Sequence, residues 1–278
     1  MKISEAFDMY INEYMCLSGR SESCIYHFDQ HKRFLVAFLG DKDIKDVTLQ
    51  DLAEWKKHLS LGRSTNTVRN YIGSVRTVFG YARQKGFKCL ERESIPVPKR
   101  EPVTMPFVTP EEVQRMINST DNIRTKFIIS FLYASGVRLS EFISLDIAQI
   151  EDRQFSVVGK GKKKRLCFID RRTERLMYEY LATRCDSSPA LIVTRFGQRP
   201  SCSNIQQIVR DLAEKAKIQK KITPHSFRHG HATNMIKNGA DIRYVAQDLG
   251  HANLSTTMIY THIMNPDMKQ KYELYHSI

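Results

Sequence analysis

The chain has 278 residues, of which 41% are hydrophobic and 26% charged, an ordinary soluble globular composition with length for two modest domains, each with its own core. Lysine and arginine number 43 against 30 acidic residues, a formal net charge of +13, and the excess is shared by both parts: 17 basic and 12 acidic residues in 1–100, 26 and 18 in 101–278. That excludes a basic tail on a neutral body and suits a protein that grips a polyanion with two surfaces.

The first 90 or so residues predict helices throughout. Ala6, Met9, Tyr10 and Tyr14, then Tyr26, Phe34, Leu35, Phe38 and Leu39, recur at helical spacing as an expected apolar stripe. Thr48 with Asp51 forms a variant capping box ahead of Leu49, Leu52, Trp55 and Leu59. Residues 64–85 place Val68, Ile72, Val75, Val78 and Phe79 on one face. On the same helix Arg69, Arg76 and Arg83, seven apart, form a basic stripe. No acid stands four residues from any of them, which favours contact with a nucleic-acid backbone over a solvated face.

Residues 94–107 hold four prolines and no periodicity, and are expected to be a linker. Thr109, Pro110 and Glu112 then mark a helix start, and 123–135 reads as a buried helix ended by Gly136. Arg138 follows in the turn, and Ser140-Glu141 opens a short helix. Residues 154–158 and 165–169 read as two strands around the basic turn Gly159-Lys160-Gly161-Lys162. Helices are expected again at 171–182, 203–216, 225–238, 242–249 and 256–261, with Gly239 and Gly250 as C-terminal caps. Residues 267–277 form a short amphipathic tail bearing Met268, Tyr272 and Tyr275.

The apolar run from Phe127 to Ala134 is far below a membrane-spanning length, and the N-terminus MKISEAFDMY has no apolar leader or cleavage site. The six cysteines (Cys16, Cys24, Cys89, Cys167, Cys185, Cys202) are scattered without a CxxC pair, which points to a reduced, cytoplasmic protein with neither a disulfide framework nor a zinc knuckle.

The residues that carry chemistry are Arg138, Lys160, His225, Arg228, His251 and Tyr260. His225 and Arg228 are three apart and share a helix face. A guanidinium binds two non-bridging phosphate oxygens at once, so Arg138 and Arg228 together suit a phosphorane-like transition state. Lys160, on its hairpin, is the candidate general acid for a departing 5′-oxygen, with Lys162, Lys163 and Lys164 as electrostatic contacts to DNA. A merely polybasic turn is the alternative for all four. His251 follows Gly250, where a short loop can aim its ring at a phosphate. Tyr260 is the candidate nucleophile; a free phenol has a pKa of about 10, so it needs a base, for which His225 stands nearest in kind. Tyr133, Tyr244, Tyr272 and Tyr275 have no comparable setting. Glu141 is a candidate for orienting a basic group from behind, whereas Asp248 is expected to cap a helix or pair on the surface. His225, His229 and His231 suggest a metal site superficially, but no carboxylate or cysteine completes it.

This ordered set, in the contexts SGVRLSE, GKGKK, PHSFRHGHAT and LGH before STTMIY, resembles the tyrosine recombinase (phage integrase) family, and among its members the simple, Xer-like recombinases. The resemblance spans essentially the whole chain, with His231 a small departure from the family pattern. It implies a mainly α fold with a small β-hairpin in the catalytic domain (α+β), in two domains forming a C-shaped clamp on DNA. The expected divisions are a helical core-binding domain at 1–93, the linker at 94–107, a catalytic domain at 108–265 and a tail at 266–278 that docks on a neighbouring protomer. It implies double-stranded DNA at a recombination site as partner, and a homotetramer on synapsed DNA, with or without a second recombinase. It further implies a 3′-phosphotyrosine intermediate and a Holliday junction, no ATP, metal or other cofactor, no membrane, and a cytoplasmic location on the nucleoid when bound. Two other functions stay open on sequence grounds: a type IB-like topoisomerase, and a DNA-binding accessory protein without catalysis.

Overall fold

The computed structural model describes residues 1–101, 106–159 and 164–250. The chain divides into two compact units, Met1–Val103 and Thr104–Ile278. In the first, α1 (Ile3–Met9) runs directly into a π-helical stretch, Tyr10–Met15, and is followed by α2 (Glu22–Leu39), α3 (Leu49–Ser60) and α4 (Thr65–Gln84). The starts are set by local chemistry. Ser21, Thr48 and Ser64 each accept a backbone N–H of the first turn, and the Asp51 carboxylate accepts the Thr48 N–H at 2.7 Å, completing the expected box. Phe7, Leu35, Trp55, Val75 and Phe79 meet in the core.

One expectation fails in this unit, and one stretch is more packed than its composition suggests. On α2 the core is met by Leu35 and His31, while Tyr26, Phe34 and Phe38 stay exposed. Phe34 and Phe38 lie at the edge of the buried stripe, where the Arg63 guanidinium covers the Phe34 ring at 4.7 Å and the His58 ring stacks on Phe38 at 5.0 Å. The proline-rich stretch also starts as packed structure. Ile95 is fully buried, and Asn66 exchanges two hydrogen bonds with the Glu101 backbone at 2.9 and 3.1 Å. Proline prevents a helix or a ladder here, but it does not prevent burial.

The second unit contains α5 (Pro110–Asn118), α6 (Ile123–Ser135), α7 (Leu139–Ser144), the strands β1 (Gln154–Val158) and β2 (Lys164–Phe168), then α8 (Arg171–Ala182), α9 (Cys202–Lys215), α10 (Pro224–Lys237) and α11 (Ile242–Leu249). After its first turn, helix α6 is buried on every side from Phe127 to Leu132, because it is the central element, packed by α5, α8 and α10. The antiparallel hairpin pairs Gln154 with Phe168 and Val158 with Lys164, beginning β2 one residue earlier than expected. Its inner face sets Phe155 against Phe131, ring centroids 5.4 Å apart. Helix α10 lies so close to the segment before α5 that a Cβ on Gly230 would meet the Val108 carbonyl at 2.2 Å, and Val108 N–H donates to the Ser226 carbonyl at 3.1 Å. The expected helix 256–261 and the tail lie outside the described residues. Among the described residues no helix is long and apolar enough to cross a membrane.

Candidate active site

Gly136 ends α6 in the left-handed conformation (φ 59°), and two residues later Arg138 stands as the N-cap of α7. The Arg138 backbone N–H donates to Glu141 Oε2 at 2.8 Å and its Nη1 to Oε1 at 2.9 Å. The same carboxylate takes a second fork: Arg165, from β2, donates through Nη1 at 2.9 Å and Nη2 at 2.7 Å. Burial opposes the charge on Glu141, but the hydrogen bonds from Arg165 and Arg138 prevail and hold the carboxyl down to about 2. Glu141 is thus an ionised, fully engaged carboxylate, 7% exposed.

His225 and Arg228 stand one turn apart on α10, as their spacing predicts. Arg228, 6% exposed, donates through Nη1 to the Gly136 carbonyl at 2.8 Å and through Nη2 to the Leu249 carbonyl. These are carbonyls that the ends of α6 and α11 leave without helical partners, and they carry the negative ends of the two helix dipoles. His225 is open to solvent on one side and packed on the other. That partial burial, then the charges of Arg228 and Arg138, hold its imidazole below the usual histidine range. His229 is lowered in the same sense by burial, then by His225 and Arg228. A neutral imidazole within the field of two fixed guanidinium groups can accept a proton beside an anion they hold.

Behind this set His231 is wedged under the Gly136 turn. Its Nδ1 lies 2.9 Å from the Tyr133 carbonyl and its Nε2 2.9 Å from Asp248 Oδ2. Both partners are acceptor oxygens, so each ring nitrogen faces one. Asp248 therefore neither caps a helix nor pairs on the surface, as its sequence context suggested. The α11 cap is Asp241, and Asp248 is a buried partner of His231 whose own carbonyl accepts Arg165 Nε at 2.9 Å.

Arg165 is the residue that sequence reasoning passed over, hidden in a tract of lysines. Its signal is strand alternation. It shares the inner face with Cys167 and pairs across the hairpin with buried Val157, so a cation there points inward. Lys164 is exposed at the start of β2. Lys160, Lys162, Lys163, His251 and Tyr260 lie outside the described residues. Of the arginine stripe on α4, Arg69 donates to the Pro98 carbonyl, and Arg83 to the Cys89 carbonyl at 2.8 Å and to Glu91 at 3.0 Å. Glu91 lies beyond the helix, outside the frame of neighbours four residues away. Arg76 keeps a buried Nε without a hydrogen-bond partner among the described residues. Among the described residues no group of three His, Cys, Asp or Glu side chains could hold a metal ion.

Residues 106–265 match the model of the Phage integrase family. A tyrosine recombinase XerD of Oceanobacillus iheyensis is 32% identical over 229 residues, covering 77% of each chain, and one of Listeria innocua is 29% identical over 299 residues, covering 99% of each. Among solved structures, the crystal structure of XerA recombinase is similar over 99% of both chains (27% identity, TM-score 0.56). The Tn1549 transposon integrase in complex with transposon right-end DNA matches over the full length of both chains (17% identity, TM-score 0.81), a likeness of fold.

Proposed function

This chain belongs to the phage integrase family, and we propose that it is a site-specific DNA recombinase that cuts and rejoins strands through a 3′-phosphotyrosine. The observation that carries the reading is that Arg138 and Arg228, 90 residues apart in the chain, are both held by fixed acceptors, Glu141 and the Gly136 carbonyl, and both act by charge on His225. Both guanidinium groups are anchored before any substrate arrives, which is what stabilising a developing dianionic phosphorane requires.

The steps follow from the groups. Tyr260 Oη attacks the scissile phosphorus, giving its proton to His225. The bond to the 5′-oxygen breaks, and Lys160 protonates that oxygen as it leaves. The 5′-hydroxyl of a partner strand then attacks the phosphotyrosine and releases Tyr260. One phosphate ester replaces another of similar energy, so the exchange needs no nucleotide hydrolysis. His251, reached directly from the end of α11, is assigned to a non-bridging oxygen. Lys162, Lys163 and Lys164, with Arg69, Arg76 and Arg83, are assigned to the DNA backbone, and Glu141 to orienting Arg138. The working assembly is a tetramer on two synapsed duplexes, passing through a Holliday junction. In it the tail 266–278 docks on a neighbouring protomer, and the chain divides as 1–93, 94–107 and 108–265.

A nicked duplex that loses its 5′-fragment on cleavage tests the reading. The wild type should accumulate a covalent protein–DNA adduct and Tyr260→Phe none. A wild type that binds the site but never forms the adduct would leave a DNA-binding protein instead.

A further inference from the structure

We propose that Arg165 is a positioning residue of the cleavage site: it neutralises Glu141 so that the charge of Arg138 remains available to the phosphate, and it clamps the end of α11 that leads into His251. This deepens the recombinase reading and rests on Arg138 as a phosphate ligand.

An inward strand position opposite Val157 is ordinarily filled by an apolar side chain, and Cys167, on the same face, is one. Desolvating a guanidinium there is costly and is offset only by well-placed acceptors and an opposite charge. All three of its nitrogens donate: Nη1 and Nη2 to the two oxygens of Glu141, and Nε to the Asp248 carbonyl. The side chain is 8% exposed. Its far edge lies against Gly250, where a Cβ would come within 2.8 Å of Arg165 Cδ, so the turn before His251 is built directly on it.

The charge count gives the consequence. Glu141 accepts four hydrogen bonds, two from Arg138 and two from Arg165. With both arginines present the trio carries one net positive charge. Without Arg165, a buried carboxylate faces Arg138 alone, draws its guanidinium into a closed pair and cancels the charge a phosphate would otherwise meet. Lysine at 165 would keep the charge but not the fork, and could not reach both Glu141 oxygens and the Asp248 carbonyl together.

The test uses the full chain with Arg165→Met, Arg165→Lys and Arg138→Ala, each read by melting temperature, DNA affinity and single-turnover adduct formation. Two nicked duplexes are compared, one natural and one with a methyl group replacing a non-bridging oxygen of the scissile phosphate. The neutral phosphate has little need of Arg138. Arg165→Met should cleave natural DNA roughly 10²-fold more slowly, with affinity within a few-fold, and its deficit should shrink at least tenfold on the methyl substrate, in parallel with Arg138→Ala. If Arg165→Met does not yield folded protein, Arg165→Lys makes the same comparison, with a smaller deficit expected. Wild-type rates in both Arg165 variants, or a deficit equal on the two substrates, or one that follows lost DNA binding, overturns the proposal. A wild type that forms no adduct fails the recombinase reading itself; rescue of Arg138→Ala without rescue of the Arg165 variants fails only the positioning role.

Discussion

Arg228 donates through Nη1 to the carbonyl of Gly136, 92 residues earlier in the chain, at 2.8 Å. Its other terminal nitrogen reaches the Leu249 carbonyl, so one buried guanidinium caps the C-terminal ends of two helices. A side chain so held loses little further freedom when a phosphate binds, which is the physical content of preorganisation.

Arg228→Ala should accordingly show two effects. Single-turnover cleavage should fall roughly 10²–10³-fold while DNA affinity changes only a few-fold. Thermal or urea denaturation should show a loss of about 1–3 kcal/mol for each carbonyl left unpaired. Binding that collapses in step with cleavage would make Arg228 a docking residue.

Cleavage should keep its rate at pH values where an ordinary histidine is already protonated. His225 must be neutral to take the tyrosyl proton, and its titration is lowered by partial burial and by Arg228 and Arg138. The rate should therefore hold through neutral pH and fall only below the ordinary histidine value of about 6.5. Removing a neighbouring charge with Arg138→Ala should move that acid limb upward, although the variant is slow throughout. A limb that stays in place when the charge is removed argues against His225 as the base.

The first unit carries its own acid sensitivity. Burial, then the charge of His27, depresses His31 to about 4. Ser74 Oγ gives its proton to the Asn70 carbonyl and so accepts from His31 Nδ1 at 2.6 Å, fixing the neutral tautomer. The folded-state pKa lies below the unfolded value of about 6.5, so this stability is present above that pH and is lost as pH falls toward 4. The loss should be on the order of 3 kcal/mol. Urea unfolding at pH 7 and pH 4.5 measures it, and His31→Phe should flatten the difference.

Gly136→Ala should cost more than its backbone strain alone. The position needs φ of 59°, and a Cβ there would meet His231 Cδ2 at 2.6 Å, pressing the ring off Asp248. Gly239 (φ 90°) has open space around it and serves as the control, with an expected loss of about 1 kcal/mol on substitution by Ala. Equal melting temperatures for the two variants would show that the His231 wedge is not rigid.

Much of this molecule was legible one segment at a time. Thr48, Thr109 and Gly136 mark helix ends because capping is decided within four residues, and the bounds of α8 and α11 coincide with the sequence expectation for the same reason. The candidate catalytic groups were legible because phosphate chemistry demands particular side chains in a particular order along the chain. Phe34 and Phe38 misled because periodicity reports a helix and its apolar side but not where burial stops, and here Arg63 and His58 cover the rim.

The amino-acid order by itself determined, to within about a residue, where the second unit's helices and strands begin, which residues could bind and attack a phosphate, and the family to which the chain belongs. Only the tertiary structure decided that Arg165 shares a carboxylate with Arg138, that Asp248 faces His231, and that Arg228 joins the ends of α6 and α11. Those pairings join residues up to 92 positions apart. They depend on how whole buried faces stack, and no local pattern encodes that.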